Sequence, residues 1–202
     1  MRLQIVVLAV VSIFILGHAN AESTAPSKKS EASVRFESAK GETAGFAAGC
    51  FWGTEEFFRK MPGVTATRVG YEGGAKPAGY HDVTTGKTGH AETLELKFDP
   101  KVVSYERLLD QFFKFHDPTT LNRQGNDQGT QYRSEIFAYT PEQKKVAENF
   151  KAKVEKSGAW KAPITTLVEP AKTFYEAEDY HQQYLIHNVG GYDNHRLRDL
   201  KF

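Results

Sequence analysis

The chain contains a single cysteine, Cys50, among 202 residues. One cysteine cannot form an intrachain disulfide, and it cannot supply a Cys-x-x-Cys redox pair or a Cys-rich zinc site. The fold must therefore be held together by a hydrophobic core, and a chain of this length can form one without cross-links. The sequence predicts a globular domain in which one thiol either packs in the core or reacts.

The charge balance excludes one large class of partners. The chain has 26 Lys and Arg residues against 25 Asp and Glu residues, a formal net charge of +1. A nucleic-acid-binding domain usually carries a clear excess of basic residues, so we expect no nucleic-acid partner. The composition also excludes collagen-like, coiled-coil and multi-span membrane proteins.

The first residues have the pattern of a targeting signal. Met1-Arg2 is followed by an apolar run from Ile5 to Gly17 and then by Ala19-Asn20-Ala21. The run is shorter than the roughly 20 residues that a membrane-spanning helix needs. We expect residues 1–21 to be a secretory signal peptide cleaved after Ala21, which predicts a secreted or periplasmic protein. An uncleaved membrane anchor is the alternative.

Composition then divides the remaining chain. Residues 22–40 are rich in Ser, Ala, Lys and Glu without apolar periodicity, which predicts a disordered linker. Residues 41–192 form the predicted domain. Residues 193–202 form a C-terminal tail that we expect to be loosely ordered, with a cover or docking strip as the alternative.

Predicted strands and helices alternate irregularly within the domain. Four strands are expected, at residues 64–69, 93–98, 134–139 and 164–168. Four helices are expected, at residues 54–60, after a Ser104 cap, from the Thr140 capping box to Gly158, and at residues 176–185. This mixed order favours an α+β fold over a regular βαβ repeat.

The segment around the thiol is Gly49-Cys50-Phe51-Trp52-Gly53, and a helix is expected to begin just after Cys50. Free N–H groups and the helix dipole at such a position favour a thiolate, so we expect a lowered pKa for Cys50. The adjacent aromatic side chains can form the wall of an apolar pocket. The alternative is that Cys50 is a small buried hydrophobic residue surrounded by core aromatics.

Three other segments have the composition of functional loops. A glycine-rich stretch covers residues 70–92 and ends at Glu92, where a strand begins. An almost wholly polar loop covers residues 122–134, and Tyr180-His181-Gln182-Gln183-Tyr184 follows later. Long loops on a rigid scaffold often carry binding and catalytic residues.

Together these motifs resemble A-type peptide methionine sulfoxide reductases. The resemblance covers roughly residues 45–188, and its motifs follow the family's order: residues 49–53, 70–74, 89–92, 125–134 and 180–184. It implies a two-layer α+β sandwich with a ferredoxin-like mixed sheet core and long loops. It also implies reduction of the S epimer of methionine sulfoxide, free or in proteins, and hence repair of oxidised proteins.

The resemblance assigns catalytic roles to four residues. Cys50 would be the nucleophile, and Glu92 would protonate the sulfoxide oxygen, as a carboxyl with a raised pKa can do. Tyr80 and Tyr132 would donate hydrogen bonds to the same oxygen as neutral phenols.

Three further residues would bind the substrate. Phe51 and Trp52 would hold its methyl group, and Asp127 would accept hydrogen bonds that fix either the polar loop or the substrate backbone. His90 is interpreted as a structural residue. We expect neither a metal nor a cofactor.

The sequence departs from many family members after Gly191-Tyr192, where Asp193 stands in place of a resolving cysteine. A sulfenic acid formed on Cys50 would have to react with an external thiol, either a small one or one carried by a thioredoxin-like or glutaredoxin-like protein. We expect a monomer. Two alternatives stay open: a one-cysteine thiol peroxidase, and a non-catalytic module that binds oxidised methionine.

Overall fold

The computed structural model describes residues 30–202. The predicted signal peptide and the first part of the predicted linker, residues 22–29, lie outside the described residues.

One mixed sheet forms the centre of the fold. Its strands are β1 (Glu42–Ala48), β2 (Val64–Glu72), β3 (Ala91–Phe98), β6 (Ser134–Ala138), β7 (Leu167–Pro170) and β8 (Tyr175–Glu176), while β4 (Arg123–Gln124) and β5 (Asp127–Gln128) form a separate hairpin. The strand order is β7-β6-β1-β3-β2-β8, with only β6 and β7 pairing in parallel. Because β3 lies between β1 and β2, the topology is the split βαβ arrangement of ferredoxin-like folds. The α+β prediction is confirmed.

The helices are α1 (Glu31–Ser38), α2 (Phe51–Phe58), α3 (Tyr80–Val83), α4 (Tyr105–Phe115), α5 (Pro141–Ser157) and α6 (Tyr184–His187), with 3₁₀ turns at Thr130–Tyr132 and Asp179–His181. The predicted caps are confirmed. Ser104 and Thr140 each accept a hydrogen bond from the backbone three residues later, and Gly158 ends α5 in the left-handed conformation. No described helix is long and apolar enough to cross a membrane.

Aromatic side chains fill the space between the sheet and its helices. Phe46 of β1 stacks on Phe58 of α2 and Phe112 of α4, with ring centroids 5.1 and 5.3 Å apart. Side chains alternate between the two faces of β3, so Leu94 and the even-numbered residues around it point to the face of the sheet that the helices cover. The same alternation brings Glu92 to that face, near the start of α2.

The prediction of a disordered linker is wrong for its last part. Residues 31–38 form α1, which is capped by Ser30 and packs against β2. Phe36 is buried, and the guanidinium of Arg68 lies 4.3 Å from its ring centroid. The sequence pattern for α1 is weak because Phe36 is its one large buried side chain. Arg68, which packs on the Phe36 ring, lies far along the chain.

Two predicted elements differ from those observed. The strand expected at residues 164–168 begins only at Leu167, because Thr165 is bonded instead to the carbonyl of Pro118. The helix expected at residues 176–185 is replaced by β8, a 3₁₀ turn and the short α6. The side chain of Gln182 bonds both the N–H and the C=O of Val69, which holds this segment in an irregular path.

Strand β1 was not among the predicted strands. Its sequence, Glu-Thr-Ala-Gly-Phe-Ala-Ala, lacks apolar alternation. The strand pairs with β3 on one side and β6 on the other, and small residues suit such a central position. Its position places Cys50 two residues beyond the end of a central strand.

Candidate active site

Cys50 lies at the N-cap of α2, where β1 passes into the helix. The expected helix start after the cysteine is confirmed. Gly49 precedes it with φ of 94°, a conformation that favours glycine, and a side chain there would collide with Gln124. Cys50 is 8% exposed, so the loop holds it just below the surface.

The expectation of a lowered Cys50 pKa is wrong for the free protein. Burial raises the pKa of the thiol well above its usual value, and the nearby Glu92 raises it further. The N–H groups of Trp52 and Gly53 lower the pKa, as predicted for a helix start, but they do not outweigh burial. The resting site therefore holds a protonated thiol.

Glu92 is 2% exposed and faces the first turn of α2. Its Oε2 atom accepts a hydrogen bond of 3.1 Å from the N–H of Phe51. Burial raises the pKa of the carboxyl to about 8, although the Phe51 bond opposes this shift. At neutral pH Glu92 thus carries a proton, which is the state that the predicted role of proton donor requires.

Tyr80 at the start of α3 and Tyr132 in the 3₁₀ turn face the same cavity. Burial raises the pKa of both phenols, and the proximity of Glu92 raises them further. Both side chains are therefore neutral hydrogen-bond donors. The N–H of Tyr80 donates to Glu178 at 2.9 Å, which fixes the beginning of its short helix.

Trp52 is held in one orientation by two neighbours. Its indole stacks on Tyr184, with ring centroids 3.8 Å apart, and its Nε1 donates to Nδ1 of His181 at 3.0 Å. Burial lowers the pKa of His181 to about 4, so the imidazole is neutral and Nδ1 can accept this bond. Phe51 packs against His181 with ring centroids 5.0 Å apart, which completes an apolar wall.

Asp127 belongs to the short β4–β5 hairpin that precedes Tyr132. Its Oδ1 atom accepts from the hydroxyl of Tyr192 at 2.9 Å, and its Oδ2 atom accepts from Asn194 at 2.8 Å. The tail therefore reaches the site, contrary to the expectation of a loosely ordered terminus.

These side chains share one cavity of about 180 Å³. It is lined by Cys50, Phe51, Trp52, Tyr80, Glu92, Asp127, Tyr132 and Tyr192. The structure thus brings together all seven residues predicted from the sequence, and their roles stay predictions. His90 lies elsewhere, with its ring nitrogens bonded to the backbone of Gly74 and Lys76.

Sequence reasoning missed Tyr192, Glu178 and His181 as parts of this site. In the sequence Tyr192 only precedes the position of the absent resolving cysteine, and His181 falls within the helix predicted at residues 176–185. The available signal for a site residue was a polar side chain among aromatic ones, since His181 lies between Tyr180 and Tyr184 in the sequence.

A larger groove of about 690 Å³ lies between α2, α4 and the tail, lined by side chains such as Phe57, Met61 and Leu197. It contains no cysteine, so the smaller cavity is the better candidate for thiol chemistry. Among residues 30–202, no group of three or more His, Cys, Asp or Glu side chains is placed to hold a metal ion.

The family model described as "Peptide methionine sulfoxide reductase" matches residues 42–201. The chain belongs to the peptide methionine sulfoxide reductase family. A relative named peptide methionine sulfoxide reductase MsrA, from Methanothermobacter thermautotrophicus, is 57% identical over 148 residues, which cover 73% of this chain and 88% of that protein.

Solved structures of the family are similar in fold. The reduced form of Mxr1 from Saccharomyces cerevisiae has a TM-score of 0.73 and 41% identity, covering 78% of this chain and 92% of that one. A second structure, Mxr1 in complex with Trx2, has a TM-score of 0.56 and 30% identity, covering 81% of this chain and 97% of that one. For a reductase of this family, the cavity offers a thiol, a proton donor, two phenols and an apolar wall.

Proposed function

We propose that this chain reduces the S epimer of methionine sulfoxide, free or in proteins, with Cys50 as the nucleophile. The observation that carries the proposal is the single cavity that joins the Cys50 thiol to a protonated Glu92 and two neutral phenols. Sulfoxide sulfur becomes electrophilic when its oxygen receives a proton or strong hydrogen bonds, and these groups supply both.

In the proposed step, the sulfur of Cys50 forms a bond to the sulfoxide sulfur while Glu92 donates its proton to the sulfoxide oxygen. Tyr80 and Tyr132 hydrogen-bond that oxygen, and Glu92 recovers a proton from the thiol. The S–O bond of the substrate and the new S–S bond then break as the hydroxyl group passes to the sulfur of Cys50. The products are methionine, reduced by two electrons, and a sulfenic acid on Cys50, oxidised by two electrons.

The apolar wall explains why a methyl sulfoxide suits the site. Phe51 and Trp52 line the cavity, and a hydrogen bond to His181 and stacking on Tyr184 hold the indole of Trp52 in place. A methyl group placed against this wall would leave the oxygen toward the phenols and Glu92. The one-cysteine peroxidase and the binding module are not favoured, because neither accounts for the match to the reductase family.

Recycling would depend on an external thiol, because Cys50 is the only cysteine in the chain. A first thiol would displace water from the sulfenic acid to give a mixed disulfide, and a second would release Cys50 as a thiol. The complex of Mxr1 with Trx2 supports a protein thiol as this partner.

The test is turnover with separated sulfoxide epimers. The chain without residues 1–21 is incubated with the S and R epimers of methionine sulfoxide and excess dithiothreitol. We expect methionine from the S epimer only, and none from Cys50→Ser. Equal turnover by Cys50→Ser, or preference for hydrogen peroxide as oxidant, would overturn the proposal.

We also propose that the protein is exported, to the periplasm or outside the cell, after cleavage at Ala21. The support is the sequence of residues 1–21, a basic start followed by an apolar run and Ala-Asn-Ala. Fractionation of the source cells and N-terminal sequencing test it. A mature protein that begins at Glu22 is expected, and an intact Met1 in the membrane fraction would contradict cleavage and support the membrane anchor.

We propose in addition that the protein acts as a monomer, since the seven residues with predicted roles in the reaction meet in one cavity without a second copy of the chain. Light scattering at the concentration used for activity is expected to give the mass of one chain. A stable dimer would contradict this.

A further inference from the structure

The C-terminal tail is fastened to the domain along its length. The N–H groups of Arg196 and Arg198 donate to the carbonyls of Phe115 and Lys114, at 3.1 and 3.0 Å. His195 stacks on Phe115 with ring centroids 4.8 Å apart, and its Nε2 lies 2.7 Å from the carbonyl oxygen of Ala48. These contacts fix the backbone on the C-terminal side of Asn194.

That residue, Asn194, directs its amide into the wall of the cavity. Its Nδ2 atom lies 2.8 Å from Oδ2 of Asp127, 2.8 Å from the carbonyl oxygen of Gln124 and 3.1 Å from the hydroxyl oxygen of Tyr192. A side-chain amide has two N–H hydrogens, and its two shortest contacts are those with Asp127 and Gln124. Asn194 therefore ties the Asp127 carboxylate to the backbone of its own hairpin.

The orientation of Asp127 depends on the tail and on Tyr192, the residue that precedes the tail. Within residues 30–202, its carboxylate receives hydrogen bonds only from Asn194 and Tyr192. The nearby guanidinium of Arg123 bonds the carbonyl of Gly125 instead. Each carboxylate oxygen keeps a free lone pair, so Asp127 can accept one more hydrogen bond from a ligand in the cavity.

We propose that Asn194 is a positioning residue for substrate binding. It holds the Asp127 carboxylate so that this group accepts the backbone N–H of a methionine sulfoxide residue, and it thereby selects amide-bearing over simple methyl sulfoxides. This proposal rests on the proposed reductase function. It makes the tail part of the substrate site, in a chain whose tail carries no resolving cysteine.

The test compares two substrates that differ in the backbone N–H. N-acetyl-methionine S-sulfoxide methylamide carries it, whereas dimethyl sulfoxide does not. For Asn194→Ala we expect kcat/KM on the amide to fall about tenfold through KM, as the loss of one well-placed hydrogen bond would produce. On dimethyl sulfoxide we expect less than a twofold change. Asn149→Ala, an exposed asparagine of α5, is the matched control.

A double-mutant cycle separates positioning from general destabilisation. If Asn194 acts through Asp127, then Asn194→Ala has no further effect on KM in an Asp127→Ala background. Additive effects, or equal losses on both substrates, would overturn the proposal, as would an unchanged KM for Asn194→Ala. Inactivity of the unmutated chain toward both substrates would instead overturn the reductase function.

Discussion

Glu92 sets the pH range of the proposed reaction, because it must carry a proton when the sulfoxide oxygen is attacked. Burial raises the pKa of this carboxyl to about 8. The acid form is therefore present at pH 7 and is lost as pH rises through about 8. The sequence could identify Glu92 as a candidate proton donor. Its protonation state could not be predicted, because it depends on burial and on the N–H of Phe51, which lies 41 residues earlier in the chain.

Replacement of Glu92 by Gln is expected to slow methionine release about 10²–10⁴-fold, the usual contribution of a general acid. Gln keeps an oxygen that can accept from Phe51, so the fold should be retained. In single-turnover stopped-flow assays the wild-type rate is expected to decline above pH 8, and the Glu92→Gln rate should lack that decline. The same high-pH limb in both proteins would assign it to another group.

At the scale of elements, the segment from Tyr175 to His187 shows what sequence patterns can and cannot predict. The motif around Cys50 and the start of α2 could be read directly, because the relevant signals are local. The segment that supports Trp52 could not, because the side chain of Gln182 bonds the backbone of Val69, where the pairing of β8 with β2 ends. Such a contact between distant residues leaves no periodic pattern in the sequence.

Gln182→Ala is expected to destabilise the protein by about 2–3 kcal/mol, since it leaves the buried N–H of Val69 and the C=O of Ala177 without partners. The carbonyl of Val69 keeps its bond from the N–H of Ala177. The loosened segment should also raise KM, because it carries His181 and Tyr184. Chemical denaturation and steady-state kinetics measure the two effects. Gln183→Gly is the control: the backbone of Gln183 has φ of 52°, which glycine adopts easily, so little loss is expected.

Helix α1 is expected to contribute stability without affecting chemistry. Phe36→Ala should cost about 3 kcal/mol, because it removes a buried aromatic side chain and the surface on which Arg68 packs. The exposed Val34 on the same helix provides the control variant Val34→Ala. Denaturation should separate the two variants while kcat/KM stays at the wild-type value in both; a large loss of kcat/KM in Phe36→Ala would contradict this.

For the whole molecule, stability should depend on pH through carboxyls on the sheet face opposite the main core. Glu72 is 0% exposed, and its Oε2 atom has no hydrogen-bond partner among the described residues. Burial raises the pKa of Glu72 to about 8. At neutral pH the folded state therefore keeps a proton on this carboxyl, whereas the unfolded chain has released it. Stability from this group is full below the unfolded pKa near 4.5 and declines as pH rises toward 8.

Glu72→Gln should therefore match wild type at pH 4.5 and exceed it by roughly 5 kcal/mol at pH 9. The variant keeps an oxygen that can accept from the N–H of Lys172. Denaturation at both pH values measures the difference. A constant offset between the two proteins would show that Glu72 does not titrate with folding.

The central claim is that a single thiol takes the oxygen of the substrate. It is tested most directly by mass spectrometry after one turnover with methionine S-sulfoxide in the absence of any reductant. We predict one methionine released per protein molecule and one added oxygen on Cys50, trapped by a sulfenic-acid reagent. Release of methionine with Cys50 unmodified, or equal release by Cys50→Ser, would contradict the claim.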